Sequence, residues 1–405
     1  MAILEGIQIE NYRALRNVTL GKLRSNVGQA LPRMMAVIGA NGTGKSSLLD
    51  ALAFIGDCLR DGVEAACDQQ RRGGFERLRT RGSQQPMRFK VRFRQDSESR
   101  PIVYTLEVGV DRHGRPEVVF ESLKQARLGQ KSIGQLYEFV KLSHGKGFVW
   151  SGESTETQEG HERHDIRMTD RQVLAISTLG TLADHPRIGA FRDFLSDWYL
   201  SYFVPDAARN LPMAGADPHL NRSGDNLGRY LQYIQRQRGR ELEAMLDGIG
   251  KRIPGLRKIT VAPSDDGRLL LAFHADGFDK PFYQGDMSDG TLKMLAYLLL
   301  MEDPKPHPLI GVEEPENGLY HQLLAPLATE FKSYAARPGG PQVLITTHSP
   351  YFVDALAPDD VWILEKQPDG CSSLHRASEI PGVRQLFEEG LPLGSLWFSR
   401  HLERG

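Results

Sequence analysis

The residues with the most constrained chemistry lie at 39–46, where the chain reads GANGTGKS. Gly39, Gly44, Lys45 and Ser46 fit the pattern G-x-x-x-x-G-K-[ST], in which exposed backbone N–H groups form a concave site for nucleotide phosphates. In this pattern Lys45 reaches the β- and γ-phosphates, and the Ser46 hydroxyl holds Mg²⁺. The N-terminus of the helix that follows favours negative charge. The stretch therefore predicts a site for ATP with Mg²⁺.

A second glycine turn, MSDGT, lies far along the chain at 287–291. Ser288 and Gly290 come just before the apolar-periodic stretch 292–301, so the Ser288 hydroxyl and nearby backbone N–H groups are expected at a helix N-terminus. That position is a second candidate site for an anion. An ordinary N-capped helix has the same pattern, so this turn alone does not identify a ligand.

Two carboxylates and a histidine follow apolar runs of strand length. Residues 308–312 lead into Glu313 and Glu314, and residues 342–347 lead into His348. Beside a Mg²⁺-nucleotide, one carboxylate can support the water shell of the metal while the other orients and deprotonates the attacking water. A lone histidine at a strand end is more often structural than catalytic, so His348 gains a role only from the other features.

The segments around these residues have the periodicity that the phosphate pattern requires. Residues 34–38 form an apolar run of strand length, and residues 46–52 have helical periodicity. Alternating stretches separated by turn signals predict an antiparallel meander. The strand candidates outside the phosphate-binding segment are 7–10, 18–20, 87–94, 102–110 and 117–128.

The middle of the chain is predicted to be a mixed, largely helical insertion. The stretch 151–165 is polar and aperiodic, so we expect a mobile loop there. Segments 171–200 and 226–249 have helical periodicity, but neither sustains the heptads of a coiled-coil arm. The sequence thus predicts an α/β protein. The predicted segments are 1–95 for the N-terminal lobe of a nucleotide-binding head, 96–284 for the meander and helical insertion, and 285–405 for the C-terminal lobe.

Composition excludes several classes of protein. The 405 residues include 50 basic and 51 acidic ones, so DNA could be bound only through a local basic patch. Cys58, Cys67 and Cys371 form no C-x-x-C pair, which argues against a zinc site and a disulfide framework. The N-terminus lacks the pattern of a signal peptide, and no apolar run approaches the ~20 residues that span a bilayer. We therefore expect a soluble, cytoplasmic protein with no membrane partner.

Two basic runs and one histidine cluster are further candidates for ligand contacts. The basic runs have the residue types that contact nucleic-acid phosphates, although a solvated face or a subunit contact accounts for them equally well. His161, His164 and Asp165 resemble a metal cluster, but they lie in the polar loop and we discount them. The first run consists of Arg71, Arg72, Arg77, Arg79, Arg81, Arg88, Lys90, Arg92 and Arg94, and the second of Arg236, Arg238 and Arg240.

The order of these features resembles the ATP-binding-cassette (ABC) ATPases of the SMC and RecF-like group. The opening ENYRAL at 10–15 also resembles that group's N-terminal strand and nucleotide-contacting turn. More narrowly, EEPENGL, TTHSPYF and LGSLWF resemble bacterial predicted ATPases of the AAA family that are related to OLD-family and phage-defence ATPases. In the resemblance to the SMC and RecF-like group, residues 39–46 correspond to Walker A and residues 287–291 to the signature motif. Residues 312–314 correspond to the end of Walker B, residues 317–319 to the D-loop, and His348 to the switch histidine.

The resemblance implies a P-loop ABC-type head whose signature motif acts on the ATP of a second subunit. Two copies would pack head to tail, and hydrolysis would belong to the dimer or a larger assembly. By resemblance Glu314 is the general base, Glu313 and Ser46 serve Mg²⁺, and His348 senses the γ-phosphate. Many relatives have Asp in place of Glu313 and LSGGQ in place of MSDGT. The implied ATP contacts are Asn11, Arg13, Gly39, Asn41, Gly42, Thr43, Gly44, Lys45, Ser46, Ser47, Ser288, Gly290 and Asn317.

Three functions remain open from the sequence. The favoured one is an ATP-gated assembly in DNA maintenance or anti-phage defence that controls a separate effector such as a nuclease, with DNA as a possible partner. The second is a slow ATPase that acts as a scaffold or sensor. The third is a transporter ATPase subunit, which the long segment between Walker A and the signature disfavours. Gln84 and Gln125 are both candidates for the glutamine lid of the family.

Overall fold

The computed structural model describes residues 2–23, 28–69, 72–126, 136–152, 162–209, 215, 217–263 and 269–402. The strands are β1 (Ile3–Tyr12), β2 (Leu15–Gly21), β3 (Met34–Ile38), β4 (Met87–Arg94), β5 (Ile102–Val110), β6 (Pro116–Ala126), β7 (Leu136–Ser143), β8 (Lys146–Trp150), β9 (Arg163–Arg167), β10 (Tyr199–Ser201), β11 (Leu256–Pro263), β12 (Leu269–Ala275), β13 (Phe282–Tyr283), β14 (Leu309–Glu313), β15 (Gln342–Thr347), β16 (Val361–Lys366) and β17 (Ser372–Arg376).

The helices lie between and around three sheets. They are α1 (Lys45–Asp61), α2 (Val63–Asp68), α3 (Phe75–Leu78), α4 (Ala175–Leu179), α5 (Pro186–Ser196), α6 (Pro205–Arg209), α7 (Leu227–Arg252), α8 (Asp289–Met301), α9 (Leu324–Ala335), α10 (Pro350–Val353), α11 (Val383–Glu388) and α12 (Leu393–Phe398). The predicted α/β class is confirmed. None of the helices in the described ranges is long and apolar enough to cross a membrane.

A mostly parallel sheet of six strands forms the half of the molecule that contains the phosphate-binding residues. Its order is β10-β14-β15-β3-β16-β17, and only β17 runs antiparallel to its neighbour. Alternate residues of β3 belong to different cores: Met35 and Val37 lie in one, and Met34, Ala36 and Ile38 in the other. Burial on both faces explains why the strand is apolar throughout.

The predicted meander is part of an antiparallel sheet of eight strands, ordered β2-β1-β4-β5-β6-β7-β8-β9. The three strands predicted at 87–94, 102–110 and 117–128 are observed as β4, β5 and β6, with positions 127 and 128 outside the described residues. β4 and β5 are neighbours in this sheet, so the predicted boundary at 95/96 falls between two paired strands. The division into three segments stays a prediction.

The expectation of a loop over the whole of 151–165 was wrong for its last residues. Strand β9 pairs with β8, with Arg163 opposite Trp150 and Arg167 opposite Lys146. β9 is an edge strand with mostly exposed side chains, so its backbone pairing needs no apolar residues and leaves no periodic signal. Residues 153–161 lie outside the described residues.

The helical prediction for 171–200 was also wrong at its C-terminal end. Helices α4 and α5 occupy much of this segment, but Tyr199 to Ser201 form β10, which pairs in parallel with β14. β10 is a three-residue buried strand, too short to show a period of its own. The helix predicted at 226–249 is α7, which has non-helical backbone angles at Arg238. It packs against the small sheet of β11, β12 and β13.

Candidate nucleotide-binding and hydrolysis site

The phosphate-binding loop, residues 39–46, connects the end of β3 to the start of α1. Gly42 and Gly44 have φ angles of 80° and 101°, in the left-handed region that favours glycine. A Cβ atom at Gly39 would lie 2.4 Å from the Leu364 carbonyl oxygen. These three positions need glycine for backbone reasons, so the pattern is a shaped loop and not a chance run of small residues.

The Lys45 side chain lies across the loop, and only 4% of the residue is exposed. Its Nζ atom donates to the carbonyl oxygens of Gly39, at 2.9 Å, and Ala40, at 3.3 Å. The Thr43 hydroxyl also donates to Ala40, at 2.9 Å. By contrast Asn41, Gly42 and Ser46 are exposed along the loop. The loop thus has a cation at its base and accessible groups at its rim, which suits a phosphate chain.

Three adjacent parallel strands bring the other predicted residues to the same edge of the sheet. In the order β14-β15-β3 the register pairs Glu313 with Thr346 and Thr347 with Ile38. Because parallel strands point the same way, the residues that follow their C-terminal ends meet beside the phosphate-binding loop. Segments that are far apart in the sequence are therefore neighbours at this edge.

Glu314 is the centre of the polar contacts at this edge. Its Oε1 atom lies 3.5 Å from Lys45 Nζ and 3.4 Å from His348 Nδ1, and its Oε2 atom accepts a hydrogen bond from Asn317 Nδ2 at 3.0 Å. Its backbone has a φ of 41°, and its N–H donates to the Thr346 carbonyl oxygen at 2.9 Å. Burial favours the neutral acid, but the amide donor and the two basic side chains outweigh it, so the pKa of Glu314 lies below its usual value.

Glu316 is a functional candidate that the sequence analysis missed. Its Oε1 atom accepts from the Thr347 hydroxyl at 2.7 Å and from the His348 backbone N–H at 2.6 Å, and it lies 3.2 Å from His348 Nδ1. The carboxylate is buried, whereas the His348 side chain is 40% exposed. Glu316 therefore positions the histidine. The sequence did contain an indication of this residue, because Glu316 is the third carboxylate of the run that contains Glu313 and Glu314.

The signature turn, residues 287–291, forms the N-terminus of α8. The Ser288 hydroxyl caps the helix by accepting from the Thr291 N–H at 3.2 Å. A Cβ at Gly290 would lie 3.0 Å from the Gly318 carbonyl oxygen, so the turn packs closely against the D-loop (317–319) of its own chain. Within the described residues neither Ser288 nor Gly290 makes a hydrogen bond or ion pair with the phosphate-binding loop.

Lys293 connects α8 to the carboxylate end of the site. It is buried, and its ammonium donates to the carbonyl oxygen of Asn317, the residue whose side chain contacts Glu314. Burial lowers the pKa of Lys293, against the opposing charges of Glu316, Asp289 and Glu314. The sequence analysis overlooked this residue, because a lysine inside an apolar helix gives no indication of its distant partner.

The N-terminal turn between β1 and β2 lies against the phosphate-binding loop. Ser372 on β17 joins the two: its N–H donates to the Ala14 carbonyl oxygen at 2.8 Å, and its hydroxyl donates to the Thr43 carbonyl oxygen at 2.6 Å. Arg13 Nη2 lies 3.0 Å from Asp50 Oδ2 on α1. These contacts place the turn beside the phosphate-binding loop, and its contact with a nucleotide stays a prediction. Ser372 was missed by the sequence analysis.

Asn11 and the two glutamines have different surroundings. Asn11 Nδ2 donates to the Pro86 carbonyl oxygen at 3.2 Å, and its Oδ1 accepts from the Ser83 hydroxyl at 3.1 Å. Gln84 lies between Ser83 and Pro86, the two residues that Asn11 contacts, and it is exposed. Gln125 lies within β6, where its amide contacts the Arg100 carbonyl oxygen at 3.2 Å and the Arg187 guanidinium at 2.9 Å. Of the two lid candidates, Gln84 is the one with an exposed side chain.

Much of the first basic run forms ion pairs inside the protein. These pairs account for five members of the run, namely Arg72, Arg79, Arg88, Arg92 and Arg94, without a nucleic acid. His164 and Asp165 lie on the edge strand β9, while Arg71 and His161 fall outside the described residues. Arg236, Arg238 and Arg240 are exposed on α7. The internal pairs are Arg72 with Asp50 and Asp57, Arg79 with Glu76, Arg88 with Glu10 and Glu107, and Arg92 and Arg94 with Glu5.

The phosphate-binding loop, the acidic strand end and the adjacent histidine define the head of a P-loop ATPase. The chain belongs to the family described as "AAA domain, putative AbiEii toxin, Type IV TA system", whose model matches residues 34–354. No curated protein matches the chain.

Solved SMC head domains have a similar fold. One is the SMC head bound to the C-terminal winged-helix domain of ScpA; it is 13% identical, with a TM-score of 0.55, and the match covers 92% of this chain and 97% of that one. Another is the Pyrococcus furiosus SMC head with an extended coiled coil, bound to the C-terminal domain of ScpA. It is 14% identical, with a TM-score of 0.54 and coverage of 96% and 99%. The resemblance to SMC-type ATPase heads is confirmed at the level of fold.

Proposed function

We propose that this protein hydrolyses ATP at a site shared between two copies of the chain. The observation that carries this proposal is the placement of Glu314 between Lys45 and His348, at the end of the strand beside the phosphate-binding loop. Its lowered pKa keeps the carboxylate ionised and able to accept a proton from water. Lys45 would turn from the loop carbonyl oxygens to the β- and γ-phosphates.

The residues present also suit Mg²⁺. The exposed Ser46 hydroxyl lies at the start of α1, and Glu313 ends β14 at the same edge of the sheet, so both are hard oxygen donors on the side of the phosphate-binding loop. When bound, Mg²⁺ neutralises phosphate charge during phosphoryl transfer. Ser46 would contribute a direct oxygen ligand, and Glu313 would accept hydrogen bonds from the water shell of the ion.

The signature turn supports a site completed by a second copy. Gly290 packs against the D-loop of its own chain, and neither Ser288 nor Gly290 makes a polar contact with its own phosphate-binding loop within the described ranges. The N-terminus of α8 is nevertheless an exposed site for an anion, with Ser288 as its cap. A γ-phosphate held by the partner's loop would meet this helix end in a head-to-tail dimer.

Mixing two inactive variants tests the shared site. Lys45→Ala removes the cation of the loop, and Ser288→Asp keeps a helix cap while it places negative charge against the γ-phosphate. Ser288→Asn, which also caps the helix, is the uncharged control and should retain activity. The mixed dimer contains one undamaged site, so hydrolysis should recover on mixing.

A photoreactive ATP analogue with its reactive group on the γ-phosphate gives an independent readout. Such a probe binds the intact loop of the Ser288→Asp chain. If the site is shared, the label passes to the Lys45→Ala chain, whose signature turn is intact. Labelling confined to the Ser288→Asp chain, with no recovery of activity, would contradict the shared site.

We further propose that the ATP-bound assembly acts in the cytoplasm, in DNA maintenance or anti-phage defence, by controlling a separate effector such as a nuclease. The family description, which mentions a toxin and a type IV TA system, supports a defence role. The exposed arginines 236, 238 and 240 offer a surface for DNA phosphates. Stimulation of ATP hydrolysis by DNA, and loss of that stimulation when all three arginines are replaced by alanine, would support this proposal. An equal rate of ATP hydrolysis with and without DNA would instead favour a slow ATPase that acts as a scaffold or sensor.

A further inference from the structure

Three potential metal ligands, two from one connection and one from a distant part of the chain, meet at a point outside the nucleotide site. His219 precedes α7, Asp303 follows α8, and His307 precedes β14. One ligand atom from each residue lies within 4.8 Å of the other two. No other group of three histidine, cysteine or acidic residues in the described part of the chain comes together in this way.

The hydrogen bonds of His307 leave one ring nitrogen available to a metal. Its Nδ1 atom lies 2.9 Å from the Asp197 carbonyl oxygen, which can only accept, so Nδ1 carries the hydrogen. In the neutral ring the lone pair is therefore on Nε2, which is buried and has no hydrogen-bond partner among the described residues. A backbone carbonyl in this position is typical of metal-binding histidines.

Asp303 and His219 are also held in place by neighbours. The Asp303 side chain is 3% exposed, and its two oxygens accept from the Tyr230 hydroxyl at 3.1 Å and the Lys305 N–H at 2.8 Å. The carbonyl oxygen of His219 accepts from Asn226 Nδ2 at 2.9 Å. His219 Nδ1 is buried without a hydrogen-bond partner in the described structure, and it lies 3.7 Å from Asp303 Oδ2.

That separation is too long for a hydrogen bond but is close to the spacing of two ligands on one ion. Tetrahedral Zn²⁺ with bonds of about 2.1 Å separates its ligand atoms by about 3.4 Å. The three ligand atoms lie within 4.8 Å of one another, so they would move closer together on binding an ion. His219 and the buried Asp303 carboxylate would then share the ion with His307.

We propose that His219, Asp303 and His307 bind a divalent transition-metal ion of the zinc class. Two imidazole nitrogens and one carboxylate form a donor set that zinc uses in sites with three protein ligands and an open fourth position. A cleft of about 500 Å³ includes His219 and Asp303, but not His307, in its lining. The expectation against a zinc site rested on cysteine spacing, and this donor set contains no cysteine.

The ion would connect the part of the fold that carries the proposed ATPase residues to the insertion. Asp303 and His307 lie on the connection from the signature helix α8 to strand β14, whereas His219 lies on the segment that leads into α7. A bound ion would fix that connection to the insertion and would raise the thermal stability of the folded chain by mass action.

Calorimetric titration of the chelator-treated full chain with Zn²⁺, without nucleotide, tests the proposal. The wild type should bind one ion per chain, and Co²⁺ should give the visible absorption of a low-coordinate site. His307→Ala and His219→Ala should each weaken binding at least about tenfold. The matched control is His348→Ala, which removes another histidine with carboxylates 3.2 Å and 3.4 Å away and should bind as the wild type does.

Thermal unfolding separates loss of a ligand from loss of the fold. Zn²⁺ should raise the melting temperature of the wild type and of His348→Ala, and should leave that of the folded, metal-free His219→Ala protein unchanged. The His219 side chain is 34% exposed, so its variant remains informative if His307→Ala fails to fold. A wild type with no stoichiometric site, or equal affinity in His219→Ala and the wild type, would overturn the proposal.

Discussion

Glu314 Oε1 lies 3.5 Å from Lys45 Nζ, so the carboxylate proposed as general base is paired with the lysine proposed to bind phosphate. The Lys45 ammonium is nearly buried and is stabilised here by this carboxylate and by two carbonyl oxygens. A nucleotide phosphate would compete for the same ammonium. Binding of ATP would therefore release Glu314 from Lys45 and leave it available to water.

Lys45→Ala is expected to weaken ATP binding about 10- to 100-fold, because hydrogen bonds from a charged donor to the phosphates are lost. Titration with a fluorescent ATP analogue measures the effect. Lys146→Ala, at an exposed position on β8, serves as the control. Normal affinity in Lys45→Ala would remove the assignment of residues 39–46 as the phosphate site.

Glu314→Gln is expected to bind ATP with near-normal affinity and to hydrolyse it about 10²- to 10⁴-fold more slowly, because an amide can orient water but cannot accept its proton. Single-turnover hydrolysis and a binding titration together test this. Glu313→Gln is the comparison and should chiefly raise the Mg²⁺ concentration that activity requires. If Glu313→Gln abolished turnover while the affinity for Mg²⁺ stayed unchanged, the two roles would be reversed.

Asn317→Ala is expected to move the acidic limb of the pH–rate profile to higher pH. The Asn317 amide donates to the Glu314 carboxylate and helps to hold its pKa below the usual value, so its loss raises that pKa. The base then becomes protonated, and activity falls, at a higher pH than in the wild type. Asn17→Ala on β2 is the control, and an identical acidic limb in both variants would refute the link.

Glu121 predicts a pH dependence of stability that is independent of ATP. Burial raises its pKa to about 7 from 4.5, although it accepts from the N–H groups of Ala175 and Ile176. The folded state therefore binds this proton more tightly than the unfolded state does. The contribution of Glu121 is fully present below about 4.5 and is lost as the pH rises to about 7.

Glu121→Gln should remove that contribution, so the free energy of unfolding should vary less with pH over the same interval. Urea unfolding at a series of pH values measures the slope. Glu388→Gln, at an exposed position on α11, should keep the wild-type slope. An unchanged slope in Glu121→Gln would contradict the raised pKa.

The sequence predicted some elements of the fold accurately and missed others. Strands and helices with a clear period, such as β4, β5 and α8, were predicted close to their observed bounds. Strands β9 and β10 were missed because their stability comes from pairing with β8 and β14, which leaves no local period. The first basic run was ambiguous for the same reason, since the partner of Arg92 and Arg94 is Glu5 on another strand.

The sequence alone determined the phosphate-binding loop and the candidate residues after β14 and β15. Glycine positions, strand periodicity and a helix start are local properties, because backbone conformation depends on neighbouring residues. Only the tertiary structure decided which side chains meet. The contacts of Glu316 with His348, Lys293 with Asn317 and Ser372 with Thr43, and the meeting of His219, Asp303 and His307, depend on packing and strand register between segments distant in the chain, and local pattern carries no record of either.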